Sequence, residues 1–142
     1  MSDNAVHTPL EAIEALESAT FRMGQALRQV LAEHPGLPIR TFHPSVRVDG
    51  YLDEQARARA SVEISARDVN GVEAWAKALG GEPEYRTHTV PNRPFLHADL
   101  TVTLGGTAVR IYGTRPLTDA ETAALPAEQQ ADADAEAGGE AR

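Results

Sequence analysis

Two adjacent glycines, Gly105 and Gly106, separate the alternating runs 100–104 and 107–111. A diglycine between two such runs marks a two-residue hairpin loop, because the turns that suit the twist of paired strands need positive φ. Setting Leu104 opposite Thr107 fixes the remaining pairs. Val102 then meets Val109, Leu100 meets Ile111, and Thr101 and Arg110 turn to the opposite face. A slip of one residue would move every side chain to the wrong side. Turn chemistry and apolar pattern therefore agree on an antiparallel hairpin with one oily face and one wet face.

The other strands are read from the same period of two. Val46, Val48 and Leu52 alternate with Arg47 and Asp49. After Asp53-Glu54-Gln55, the residues Ala56, Ala58, Ala60, Val62, Ile64 and Ala66 point one way, while Arg57, Arg59, Ser61, Glu63 and Ser65 point the other. A three-residue loop with Leu52 opposite Ala56 sets Val48 against Ala60 and Val46 against Val62. Strands over 84–90 and 95–104 follow, joined by Pro91-Asn92-Arg93-Pro94, and 107–112 is the last strand.

Two helices interrupt this pattern. Thr8 and Glu11 read as a capping box, with Pro9 at the first helical position. Leu10, Ile13, Leu16, Met23, Leu27, Val30 and Leu31 form an apolar stripe, and His34-Pro35-Gly36 ends the helix. Ile13, Leu16, Thr20, Met23, Leu27 and Val30 also fit the alternating three and four spacing of a helix–helix seam; packing on the domain's own sheet is the expectation. Asn70, with Glu73, is expected to cap the second helix. Val72, Trp75, Ala76 and Leu79 form its stripe and Gly80-Gly81 its stop. Trp75, the sole tryptophan, is expected to anchor the core.

The fold class predicted is α+β. It comprises a single, mainly antiparallel five-stranded sheet in the order helix, strand, strand, helix, three strands, with the helices on one face. Residues 1–7 are expected to be flexible, 8–117 to form the domain, and 118–142 to be an acidic and mostly disordered tail in which Thr118 and Glu121 cap one short helical turn. Of the net charge of −8, this last stretch contributes −6, from seven acids and Arg142. The domain itself is nearly balanced and lacks the basic face of a nucleic-acid binder.

The chain has no cysteine, which excludes disulfides, zinc–thiolate sites and thiol nucleophiles. It has no apolar run long enough to span a membrane and no signal-peptide pattern at its start. A cytoplasmic location, no membrane partner and no nucleic-acid partner are therefore expected. No phosphate loop, nucleophile elbow or two-histidine helical zinc motif occurs, so no catalytic residue is assigned and no cofactor is implied.

One constellation stands out on the wet face. If Val90 pairs with Phe95, His88 falls opposite His97 and Arg86 opposite Asp99; the diglycine hairpin sets Asp99 opposite Tyr112 and Thr101 opposite Arg110. Arg86, His88, His97, Asp99, Arg110 and Tyr112 then share one patch, with cross-strand Cβ atoms roughly 4.5–5.5 Å apart. His88 and His97 are its weak metal-ligand candidates. As a docking surface, the same patch offers the Arg and Tyr that interfaces favour. His7 before the first cap, His34 at a helix end and His43 in a loop beside Pro44 are read as structural or incidental.

From about residue 58 to 112, strand, helix and three strands, with the phrase Val69-Asn70-Gly71-Val72-Glu73-Ala74-Trp75-Ala76-Lys77-Ala78-Leu79-Gly80-Gly81, resemble one module of the vicinal oxygen chelate (glyoxalase-like) family. The resemblance implies a metal held by strands of two such modules. Glu63 matches a first-strand ligand position, and the last strand offers Arg110 and Tyr112, which are not usual ligands. The arginine- and alanine-rich style is also similar to that of small proteins of high-GC actinobacteria and their phages. Two readings follow. One is a non-enzymatic protein-interaction or accessory module of phage or mobile-element type, binding another protein or itself. The other is a divergent glyoxalase-like metal or small-ligand binder completed by dimerisation.

Overall fold

A computed structural model describes residues 8–49, 57–90 and 93–125. Helix α1 (Pro9–Glu33) leads into strands β1 (Thr41–Asp49) and β2 (Arg57–Ser65). Helix α2 (Val69–Leu79), strands β3 (Glu84–Val90), β4 (Arg93–Leu104) and β5 (Thr107–Pro116), and the short helix α3 (Asp119–Ala123) follow. The five strands form one sheet in the order β1-β2-β5-β4-β3. Every neighbouring pair is antiparallel except β2 and β5, which run parallel. The fold is thus α+β, as the sequence predicts.

The diglycine turn forms as its chemistry requires. Gly105 and Gly106 have φ of 54° and 82°, the positive values of a two-residue hairpin loop. Leu104 pairs with Thr107, Val102 with Val109, Leu100 with Ile111, and Thr101 with Arg110.

The two other hairpins differ from the sequence expectation by two residues. Val48 pairs with Ala58 and Val46 with Ala60. Likewise His88 pairs with Phe95 and Arg86 with His97. A shift of two keeps every side chain on its face, so the apolar pattern cannot detect it. The expected loop 53–55, and Pro91 and Asn92 of the other connection, lie outside the described residues, as do residues 1–7 with His7, expected to be flexible, and the tail beyond 125. Strand β1 also begins earlier than read. It takes in His43 and Pro44, because an edge strand tolerates a residue without an N–H.

The core lies between the sheet and the two long helices. Val62 and Ile64 of β2, Val109 and Ile111 of β5, and Ala98 and Leu100 of β4 are buried against Met23 and Leu27 of α1 and Val72 and Trp75 of α2. Trp75 is fully enclosed, and its indole N–H donates to the Pro38 carbonyl at 2.8 Å. This satisfies the one polar group that its burial would otherwise strand. On β3, Tyr85 donates to Glu73 of α2 at 2.7 Å, tying the far edge strand to the helix layer.

Helix α2 is capped two residues earlier than Asn70. Asp68 is the N-cap, and its side chain accepts from the Gly71 N–H at 2.9 Å. The chain reaches this cap through a tight turn: Asp68 N–H donates to the Ala66 carbonyl at 2.8 Å, with Arg67 between them at φ 71°. That turn lets β2 pass directly into the helix with Val69 already buried. At the other end Gly80 takes the left-handed C-cap.

Helix α1 starts where predicted, with Thr8 accepting from the Glu11 N–H at 3.1 Å. Only its second half packs on the sheet. Ala19, Met23 and Leu27 are buried, whereas Leu10, Ile13, Leu16 and Phe21 are exposed. The expected stripe therefore covers the sheet through Met23, Leu27, Val30 and Leu31, while its first part, Leu10, Ile13 and Leu16, is left exposed. No helix of the described residues is long and apolar enough to cross a membrane.

Candidate functional site: the open face of the sheet

The face away from the helices carries the polar residues of all five strands. Row by row, His43 lies opposite Glu63, Glu63 beside Arg110, and Arg110 opposite Thr101. In the next row Ser65, Tyr112, Asp99 and Glu84 stand in line, then Thr114, His97 and Arg86, then Pro116, Phe95 and His88. All six residues singled out from the sequence (Arg86, His88, His97, Asp99, Arg110 and Tyr112) thus occupy this face.

An ion-paired cluster organises its centre. Arg110 and Asp99 are diagonal neighbours across the β4–β5 ladder. Arg110 Nη2 and Nε donate to Asp99 Oδ2 at 2.7 and 2.9 Å, and Nε lies 3.2 Å from Oδ1. His97 Nε2 lies 3.5 Å from Asp99 Oδ2, and Arg110 Nη1 lies 3.8 Å from Glu63 Oε2. The Asp99 side chain is only 13 % exposed, against 39 % for Arg110. Burial pushes the Asp99 carboxyl up, but the hydrogen bonds and charge of Arg110, together with His97, outweigh it and leave its pKa below the usual value. Arg110 is raised in turn by its bond to Asp99.

Aromatic rings extend the cluster. The Arg110 guanidinium sits 4.9 Å from the Tyr112 ring centroid, within cation–π range. Tyr112 stacks on His97 at 6.2 Å, His97 meets His88 edge-on at 5.7 Å, and His88 stacks on Phe95 at 4.9 Å. Arg110, Asp99, His97 and Tyr112 therefore close a ring of contacts, from which His88 and Phe95 continue toward the sheet edge. Arg86 stands exposed on β3 beside it.

The six-residue patch read from the sequence left out three neighbours on this face. Phe95 replaces His97 as the partner directly opposite His88, a consequence of the two-residue register difference. Glu63 joins through the parallel β2–β5 pairing, which no hairpin signal announces. His43 joins because β1 extends through Pro44.

Among the described residues no group of three or more His, Cys, Asp or Glu could hold a metal ion. The two imidazoles are turned edge to face, and Asp99, the nearest carboxylate, is already engaged by Arg110. Comparison with known proteins adds no relative: no family model, no curated protein and no solved structure matches the chain.

Proposed function

We propose that this chain is a non-enzymatic protein-interaction module whose docking surface is the open face of the sheet. The observation that carries this reading is the Arg110–Asp99 clamp within its ring of aromatic contacts. It fixes the side chains of a wide, unwalled surface before any partner arrives, and rigid Arg, Tyr and His side chains lose little freedom on binding. A shallow open face with few enclosing walls fits a protein surface better than a small molecule, which needs a concave site.

The test is capture followed by reconstitution. Wild-type protein and an Arg86→Glu/His88→Ala variant are used as baits on extract of the source cells, and any protein retained only by the wild type is purified and titrated against both. Support requires saturable one-to-one binding that the variant weakens tenfold or more. Equal binding by both baits would overturn the assignment of this face.

A second reading is a glyoxalase-like metal or small-ligand binder completed by a second chain. Support comes from the element order β2, α2, β3, β4, β5 over residues 57–116 and from the placement of His88, His97 and Glu63 on one face. Dialysis against zinc, nickel and manganese decides it. Stoichiometric metal that is lost in His88→Ala or His97→Ala would favour this reading over the first.

A further inference from the structure

Helix α1 carries a surface that its own fold leaves uncovered. Leu10 and Phe21 are 63 % and 65 % exposed, and Ile13 is 50 % exposed. With Glu17, Gly24 and Arg28 they fall on one side of the helix at spacings of three and four, the spacing of a helix-pairing seam. Phe21 lines a shallow groove together with Thr20, Gly24, Gln25 and Arg28. A glycine inside a helix destabilises it relative to alanine, and nothing lies within 4 Å of where a Gly24 Cβ would stand. The domain's own packing therefore does not call for that gap.

The charges on α1 are unevenly placed. Residues 9–18 hold Glu11, Glu14 and Glu17 and no base; residues 19–33 hold Arg22 and Arg28 and one acid, Glu33, at the last position. Such a helix repels a parallel copy and attracts an antiparallel one. Placing Phe21 of one copy over Gly24 of the other sets Glu17 against Arg28 on both sides of the two-fold axis, because the two pairs share one register. Knob, notch and charges are thus satisfied together by a self-complementary contact.

We infer that α1 mediates antiparallel pairing with α1 of a second copy of this chain. The contact uses the helix layer, on the side of the sheet away from the docking face, so a dimer displays two such faces.

The test is the mass of the full chain by light scattering or sedimentation across a concentration series. The expected result is a shift from 15.2 kDa to twice that value with rising concentration. Glu17→Arg and Arg28→Glu each place like charges at both symmetric contacts and are expected to weaken the dimer about tenfold alone. Mixed in equal amounts, they should pair again, because each then meets its opposite. Phe21→Ser should remain monomeric while keeping the wild-type circular dichroism. A wild-type monomer at every concentration, or a dimer indifferent to both charge reversals, would overturn the inference.

Discussion

Arg110 and Asp99 are joined across the β4–β5 ladder by two donors on a single carboxylate oxygen, at 2.7 and 2.9 Å. This pair is the electrostatic centre of the open sheet face, and its geometry has a pH signature.

Asp99 titrates below its ordinary value in the folded chain. A carboxyl lowered by folding adds stability above its unfolded pKa, and that contribution is lost as pH falls through the folded value. Asp99→Asn should therefore be less stable than wild type near pH 7, by about 1 kcal/mol after discounting for the exposed Arg110. The gap should close as pH falls below the usual carboxylate range. Urea denaturation at a series of pH values measures it; a gap that stays constant down to strongly acid pH would contradict the assignment.

Trp75 is the largest fully buried side chain. Trp75→Ala should cost about 3–5 kcal/mol, and a loss below about 1 kcal/mol in equilibrium unfolding would place the indole outside the core.

Arg67 holds a positive φ between Ala66 and Asp68. An ordinary residue there costs about 1–3 kcal/mol, partly offset by the extra chain entropy of glycine. Arg67→Gly should thus stabilise the protein by about 1 kcal/mol, seen as a higher urea midpoint at unchanged slope. A destabilised variant would mean that the Arg67 side chain holds the junction.

Helix α3 is fastened by Arg115, whose Nη1 lies 2.7 Å from Glu121 Oε1. Glu121 also accepts from the Thr118 N–H at 2.9 Å, completing the capping box. These bonds, that to Arg115 first, lower the Glu121 pKa to about 2. Carboxyl chemical shifts followed by NMR should show one glutamate titrating near that value and moving up in Arg115→Met.

What was legible in the sequence follows from which signals carry register. Gly105-Gly106 admits one turn geometry, so the pairing of Leu100 with Ile111 could be read directly. The connections around residues 50–56 and 91–94 contain no comparable constraint, and a two-residue slip leaves Ala58, Ala60 and Val62 on the same face; faces were readable there, but partners were not. The cap of α2 was misplaced because Asp68 and Asn70 are both capping residues at the start of the same helical pattern, and the choice rests on burying Val69, a tertiary effect. The patch was found because it needs only the faces, whereas the contribution of Glu63 needed the β2–β5 adjacency, to which no local signal points. Burial of α1 was overestimated because helical periodicity records an apolar side, not how much of the helix lies over the sheet.

The absence of native cysteine allows the two-faced sheet to be tested one position at a time. Single cysteines at Thr101, Thr103 and Ala108, all exposed, and at Ala98, Val109 and Ile111, all buried, alternate along the same hairpin. The decisive measurement is their rate of reaction with a thiol reagent under native conditions. The first three should react at the rate of a free thiol, and the second three only as fast as the whole domain unfolds. Similar rates at neighbouring positions such as 108 and 109 would contradict a sheet with one sealed face and one open face, and with it the docking surface built on the open one.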